Sequence, residues 1–217
     1  MHPVFSMVRR AARTYAAVFR MVERALDGWL LGLLARLVFA AVLFGYYWNS
    51  ALTKIGDGLF GVFLISDGAY MQILPAQMEA AGYDASAIPL LPWGLIVAAG
   101  TYAEFILPVL IVAGLMTRLA ALGMIGFILV QSYVDIVFHH VDAATIGALF
   151  DRLPTAVILD QRALWVFLLA YLVVKGAGVV SVDGVVGRML LEPAASSGRA
   201  TPDSAPLPTD AASPAGR

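Results

Sequence analysis

P-W-G-L-I-V-A-A-G-T-Y-A-E-F-I-L-P-V-L-I-V-A-G-L-M-T-R, residues 92–118, is the stretch on which the fold turns. It is longer than the ~20 residues that cross a ~30 Å hydrocarbon core at 1.5 Å per residue. It nevertheless carries Glu104 near its middle and Pro108 four residues later. A carboxylate at that depth is strongly disfavoured unless it is paired, protonated or wetted, so it is a functional candidate by default. The proline removes the hydrogen bond to the carbonyl of Glu104, leaving a free backbone acceptor at the same place. The alternative is a structural carboxylate paired with a neighbouring cation, beside an ordinary membrane-helix proline.

The rest of the chain agrees with a membrane setting. Of 217 residues 60% are hydrophobic and 13% charged, with a mean hydropathy of +0.82; a soluble domain carries about 25% charged residues. A net charge of −1 argues against a nucleic-acid partner. The absence of cysteine excludes disulfides, thiolate metal sites, thiol relays and ordinary haem c attachment. No haem or metal is expected, and a redox role needs a bound cofactor or a partner.

Outward from the opening stretch, the sequence divides into three parts. Residues 1–28 form a basic amphipathic N-terminal helix over Phe5 to Asp27. Val8, Ala12, Tyr15, Phe19, Val22 and Leu26 make one apolar stripe, while Arg9, Arg13, Arg20 and Arg24 share another face. This is the pattern of a helix lying in the headgroup layer, or of one packed on a partner. Residues 29–190 form the membrane domain. Its first span is Trp29 to Leu52, with Arg36 inside it and Lys54 at its exit. A loop over Gly56 to Leu91 contains no Lys or Arg, and its apolar run Leu59 to Ile65 is too short to span. The opening stretch is span two, and a tight turn leads to span three, Leu119 to Phe138, making the two antiparallel neighbours. A second loop, Val141 to Gln161, precedes span four, Ala163 to Val180, and a short exit helix, Val182 to Arg188. Residues 191–217 are Ala, Ser, Pro, Asp and Thr without periodicity, a disordered tail. Most Arg residues lie before span one, between spans two and three, or after span four, which predicts both termini cytoplasmic. The expected architecture is all-α: a polytopic four-transmembrane-helix bundle in a bacterial inner membrane, with an N-terminal interfacial helix.

Depth counting places the polar residues in two layers. Glu104 and Lys175 each lie about 18 Å from the outer ends of their spans, and Arg36 about 20 Å from the outer surface. That predicts one mid-membrane cluster in which a carboxylate sits between two cations. A second layer lies further out: Asp135 with Lys54, then His139. Gln131, Asp135 and His139 step by four and share one face of span three. Asp135 with Lys54 reads equally as a structural ion pair. His139 and His140 project about 100° apart, which disfavours a metal site from the pair.

At these residues the chain resembles the DoxX family of membrane proteins, over about Leu33 to Gly187. The resemblance rests on Arg36 early in span one, Gly45 and Lys54 at its far end, Glu104 in span two, and G-L-x-T-R-L-A-A-L at Gly114 to Leu122. It ends in G-x-G-x-x-S-x-D at Gly176, Gly178, Ser181 and Asp183. The basic N-terminal helix, the long first loop and the Pro/Ser tail depart from the family pattern. The resemblance implies a four-helix bundle and quinone-coupled redox chemistry, since related chains belong to thiosulfate:quinone oxidoreductase and to membrane oxidoreductase complexes. On that reading Arg36, Lys54, Gln131, His139 and Lys175 line a bundle pocket and donate to quinone carbonyls, and Glu104 and Asp135 are candidate proton carriers. The glycines would let span four close and approach a neighbour, and Ser181 would cap the exit helix. Expected partners are the lipid bilayer and either a protein partner or a second copy. The alternative function is a non-catalytic membrane scaffold or accessory protein of a larger complex, with the polar layers as structural glue. A small transporter is a third reading, without a visible internal repeat to support it.

Overall fold

The computed structural model describes residues 3–58 and 60–191. The expected disordered tail, from Glu192 onward, lies outside the described residues. In chain order the helices are α1 (Pro3–Leu26), α2 (Leu30–Leu52), α3 (Asp67–Ile73), α4 (Pro75–Ala80), α5 (Leu90–Ala113), α6 (Thr117–Val137), α7 (Ala143–Ile146), α8 (Val157–Lys175) and α9 (Val182–Leu191). Among the described residues there is no strand, only an isolated antiparallel bridge between Ile55 and Ile65. Four helices, α2, α5, α6 and α8, are long and apolar enough to cross a membrane. The chain is a four-helix membrane bundle.

Each span is apolar on nearly every side, as a lipid-facing helix must be when neither lipid nor core takes charge. Small and aromatic residues then decide which side packs. α2 buries Ala35, Phe39, Leu43 and Tyr47, at fourfold steps, against Ile111 of α5, Ala120, Ala121, Met124 and Ile128 of α6, and Leu169 and Leu172 of α8. A π turn at Ala40–Phe44 interrupts α2. α2 packs on α5 and α8, and α6 packs on the same two.

The turn from α5 to α6 is as tight as the sequence predicts. Gly114 takes φ +72°, and the amides of Gly114 and Leu115 both donate to the carbonyl of Leu110, at 2.9 and 3.0 Å. That closure satisfies carbonyls a helix end would otherwise leave free, and its left-handed residue favours glycine. Span two therefore ends at Ala113, short of Arg118; at its other end Leu91 is extended (φ −108°, ψ 124°), so regular helical backbone begins only at Pro92.

Span four departs further from its expected bounds. It starts at Val157 and stops at Lys175, where the sequence suggested Ala163 to Val180. Asp160, Gln161 and Arg162 look like loop residues, yet the helix absorbs them. The Asp160 carboxylate accepts from the amide of Ala156 at 2.8 Å, and Arg162 is buried against span three. At the other end Gly176 and Gly178 take φ +80° and +78° and release the chain. α9 then begins with Ser181 as its cap: its hydroxyl accepts from the amide of Gly184 at 3.0 Å and donates to the carbonyl of Gly178 at 2.5 Å.

The long first loop folds over the far end of the bundle. α3 and α4 lie there, with a small apolar cluster of Ala69, Leu74 and Val97 beneath them. Phe60, Phe63 and Leu64 stay exposed.

Candidate functional site

A cavity of about 380 Å³ opens between α5 and α6 toward the far end of the bundle. Its walls owe their space to small residues: Ala99, Gly100 and Ala103 on α5 face Gly123 and Gly126 on α6. A Cβ on Gly126 would meet nothing within 4 Å, and one on Gly100 would come within 3.1 Å of Ile73. Lys54, Glu104, Gln131, Asp135 and His139 all line this space. Five of the seven site residues expected from sequence therefore meet in one place.

Lys54 and Glu104 form a direct ion pair at 2.9 Å, each side chain only 4% exposed. The Lys54 ammonium also donates to the hydroxyl of Ser50 at 2.8 Å and to its carbonyl at 3.2 Å. The pair follows from side-chain direction. Helical side chains lean toward the N-terminus of their own helix. Lys54, at the far end of α2, leans back into the bundle; Glu104, on the antiparallel α5, leans toward it. Asp135 is satisfied differently: Arg162 of α8 donates to it at 2.6 Å and to Ser132 at 2.9 Å. Arg162 is the residue that sequence reading missed, because it was assigned to a loop. The expected Asp135–Lys54 pair is thus replaced by two pairs, Lys54–Glu104 and Arg162–Asp135.

At the cavity mouth, His139 Nε2 lies 3.2 Å from the carbonyl of Gln72. Gln131 donates to the hydroxyl of Tyr46 at 3.1 Å, while its Oε1 is buried without a protein partner. The hydroxyl of Tyr47 is likewise buried and unpartnered.

The mid-membrane cluster of Arg36, Glu104 and Lys175 does not form. Lys175 is the last residue of span four, five residues before the expected end and six residues further from the span's start than the depth count assumed, and lies half-exposed 3.6 Å from Asp27. Arg36 reaches toward the near end, where α1 and α9 lie. Its guanidinium donates to the carbonyls of Ile111 at 3.1 Å, Val112 at 2.6 Å and Val180 at 2.6 Å. The same lean that sends Lys54 inward sends Arg36, on the first turns of α2, down to that end.

Arg36 belongs to a seam that draws the remaining family-like motifs together. Asp183 accepts from the amides of Met116 at 2.7 Å and Thr117 at 2.9 Å, capping α6, and its own amide donates to Gly114 at 2.8 Å. A Cβ on Gly114 would sit 2.6 Å from Ser181 Cβ and 2.8 Å from Arg36 Cζ. A Cβ on Gly32 would sit 2.8 Å from the Ala177 carbonyl. Partial burial opposes ionisation of Asp183, but the Thr117 and Met116 amides and the nearby Arg36 charge outweigh it and hold its carboxyl below the ordinary range. A depressed folded-state pKa adds stability that is present above the unfolded value of about 3.9 and lost as pH falls through the folded value. Asp183→Asn should therefore destabilise the protein at pH 7 by about 1 kcal/mol, the worth of a part-exposed helix cap. Melting curves should show that gap closing below about pH 4.

Comparison with protein-family models, curated proteins and solved structures finds no match for the chain. The fold and the cavity themselves define a class: a four-span helical membrane protein with a small, largely apolar, charge-bearing cavity between two of its spans.

Proposed function

We propose that this chain is a DoxX-like membrane subunit of a quinone-linked redox system in a bacterial inner membrane, with both termini cytoplasmic. The observation that carries the reading is the meeting of Lys54, Glu104, Gln131, Asp135 and His139 in one cavity whose other walls, apart from Ser50 and Gln72, are apolar. About 380 Å³ falls within the range of small-molecule sites. The donor set fits a quinone head: an apolar ring against Ala99, Ala103 and Leu107, and donors at its carbonyls. A quinone, when bound, takes up two electrons and two protons, the electrons coming from the oxidised substrate of a partner subunit in sulfur or oxidative-stress chemistry. The residues of this chain orient the head and handle protons. Gln131, whose amide has a second N–H beyond the bond to Tyr46, donates a hydrogen bond, and Lys54 holds Glu104 beside the head. Asp135, one quarter exposed beside Arg162, is wetter than Glu104 and is the better group to exchange a proton with the far side. His139 stands at the mouth. The arginine bias toward the near end supports the orientation.

The competing reading is a non-catalytic scaffold, and one observation favours it: each carboxylate already has its own cation, as structural glue requires. Gly126→Leu separates the two. A Cβ there meets nothing within 4 Å, so the side chain grows into open cavity space and improves helix propensity by up to ~1 kcal/mol, while all four groups of the two ion pairs are kept. Ultraviolet difference spectra of anaerobically purified protein should show near-stoichiometric quinone in the wild type and a several-fold loss in Gly126→Leu, with a melting temperature no lower than that of the wild type. Quinone absent from the wild type would leave the scaffold reading standing.

A further inference from the structure

The helix α1 takes no part in either apolar core among the described residues, and Phe5 to Ala25 are exposed apart from half-buried Ala16. Its 24 residues reach about 36 Å. Exposed Phe5, Val8, Tyr15, Phe19 and Val22 run along one side. Arg9, Arg10, Arg13, Arg20 and Arg24 fall within an arc of about 100° on the other. Glu23 is the only carboxylate in the helix.

The root of this arm is fixed to the bundle. Gly28, at φ +88°, turns the chain, and its carbonyl accepts from the amide of Val179 at 2.9 Å. Asp27 faces Lys175, and the indole of Trp29 donates to the carbonyl of Ala25 at 2.8 Å. Span one starts at the next residue, Leu30. The arm thus leaves the bundle at the level where the four spans end, which is the headgroup depth of a bilayer and the usual place for a Trp.

A second copy of α1 is a poor occupant for the apolar side. The stripe has heptad spacing, but a coiled coil sets charges beside its seam. Here Ala11, Ala16, Val18 and Ala25 take four of the six flanking places and widen the stripe, leaving charge only at Arg9 and Glu23. Two parallel arms would also bring ten arginines together. A broad apolar face opposite a single-sign basic face matches an acidic lipid surface.

We propose that α1 is a docking arm for acidic phospholipid. It lies in the headgroup layer at the near end of the bundle, with Tyr15 and Phe19 among acyl chains and its arginines on lipid phosphates. Because the chain has no cysteine, single-site labelling tests this directly. Phe19→Cys and Arg13→Cys, each carrying an environment-sensitive dye, are reconstituted one copy per nanodisc. The lipid is either wholly zwitterionic or contains phosphatidylglycerol, and the quencher is neutral acrylamide. In the acidic discs quenching at position 19 should be about threefold weaker than at position 13, and its emission blue-shifted. In zwitterionic discs, or when Arg10, Arg20 and Arg24 are changed to Gln, that protection should fall to less than half. Equal quenching at both positions in acidic discs would overturn the proposal. So would protection independent of lipid charge, or protection that arises only in discs holding two copies, which would make the occupant a second arm.

Discussion

Glu104→Gln should destabilise the bundle by about 3–5 kcal/mol, and Lys54→Met by a similar amount. Each change leaves one charge without its counter-charge in a site where both side chains are 4% exposed. Replacing both should recover a large part of the loss, because neither an anion nor a cation then remains to be desolvated alone. The coupling energy from this double-mutant cycle isolates the pair, since each residue's separate effects cancel. Lys175→Met supplies the control. Its ammonium sits at the opposite end of the bundle beside Asp27, half in water, so its effect should add to that of Glu104→Gln within about 0.5 kcal/mol. Unfolding of the purified protein by sodium dodecyl sulfate, followed by circular dichroism, gives the four free energies. Additive losses for Lys54 and Glu104 would mean that the pair does not hold this site together.

The contrast between Lys54 and Lys175 also marks how far the sequence could be read. Four apolar runs, a tight turn at Gly114 and the shared face of Gln131, Asp135 and His139 are local features. Helix rise and periodicity suffice to place them, and the cavity lining that follows from them agrees with the structure. Lys175, Arg36 and Arg162 depend on information that periodicity lacks. Where span four starts is set by Asp160 bonding back to Ala156 and by Arg162 finding Asp135 on another helix. Both bonds are tertiary or turn chemistry, invisible in a hydropathy run. The six-residue error at that start moved Lys175 from the span's end to its middle. Depth counting by Cα also ignores where a long side chain goes. Arg36 and Lys54 lie on one face of α2 and lean the same way, toward its N-terminus, so that Arg36 moves down to Ile111 and Val112 while Lys54 moves inward to Glu104. One signal for Arg162 was present: Asp135 needed a cation, and with Lys54 taken by Glu104 the nearest remaining candidates were the arginines of the second loop.

The near-end seam gives the second large effect, and its chemistry differs from that of the ion pair. Arg36→Leu removes the donor for three backbone carbonyls at once, those of Ile111, Val112 and Val180. A buried acceptor left without a partner costs about 1–3 kcal/mol. Some water reaches this end of the bundle, so a total loss of about 3 kcal/mol is expected rather than the full sum. Arg36→Lys should recover less than half. An ammonium keeps the charge but cannot present the planar fork that spans the end of α5 and the start of the α9 turn. Among the described residues no carboxylate is hydrogen-bonded to the guanidinium, which bonds to three carbonyls and has Asp183 only as a charged neighbour, and this separates the seam from the Lys54–Glu104 pair. Gly114→Ala tests the same seam from the other side. At φ +72° an added Cβ would lie 2.8 Å from Arg36 Cζ and 2.6 Å from Ser181 Cβ. It must therefore displace the arginine or open the turn, besides straining a left-handed residue. Once Arg36 is gone, part of that clash is gone too. Arg36→Leu and Gly114→Ala should then lose less together than the sum of their separate losses, by about 1 kcal/mol or more for residues in contact. A loss below about 0.5 kcal/mol for Arg36→Leu, the level of a neutral surface change, would show that the three carbonyls find other donors and that the seam is not held by Arg36.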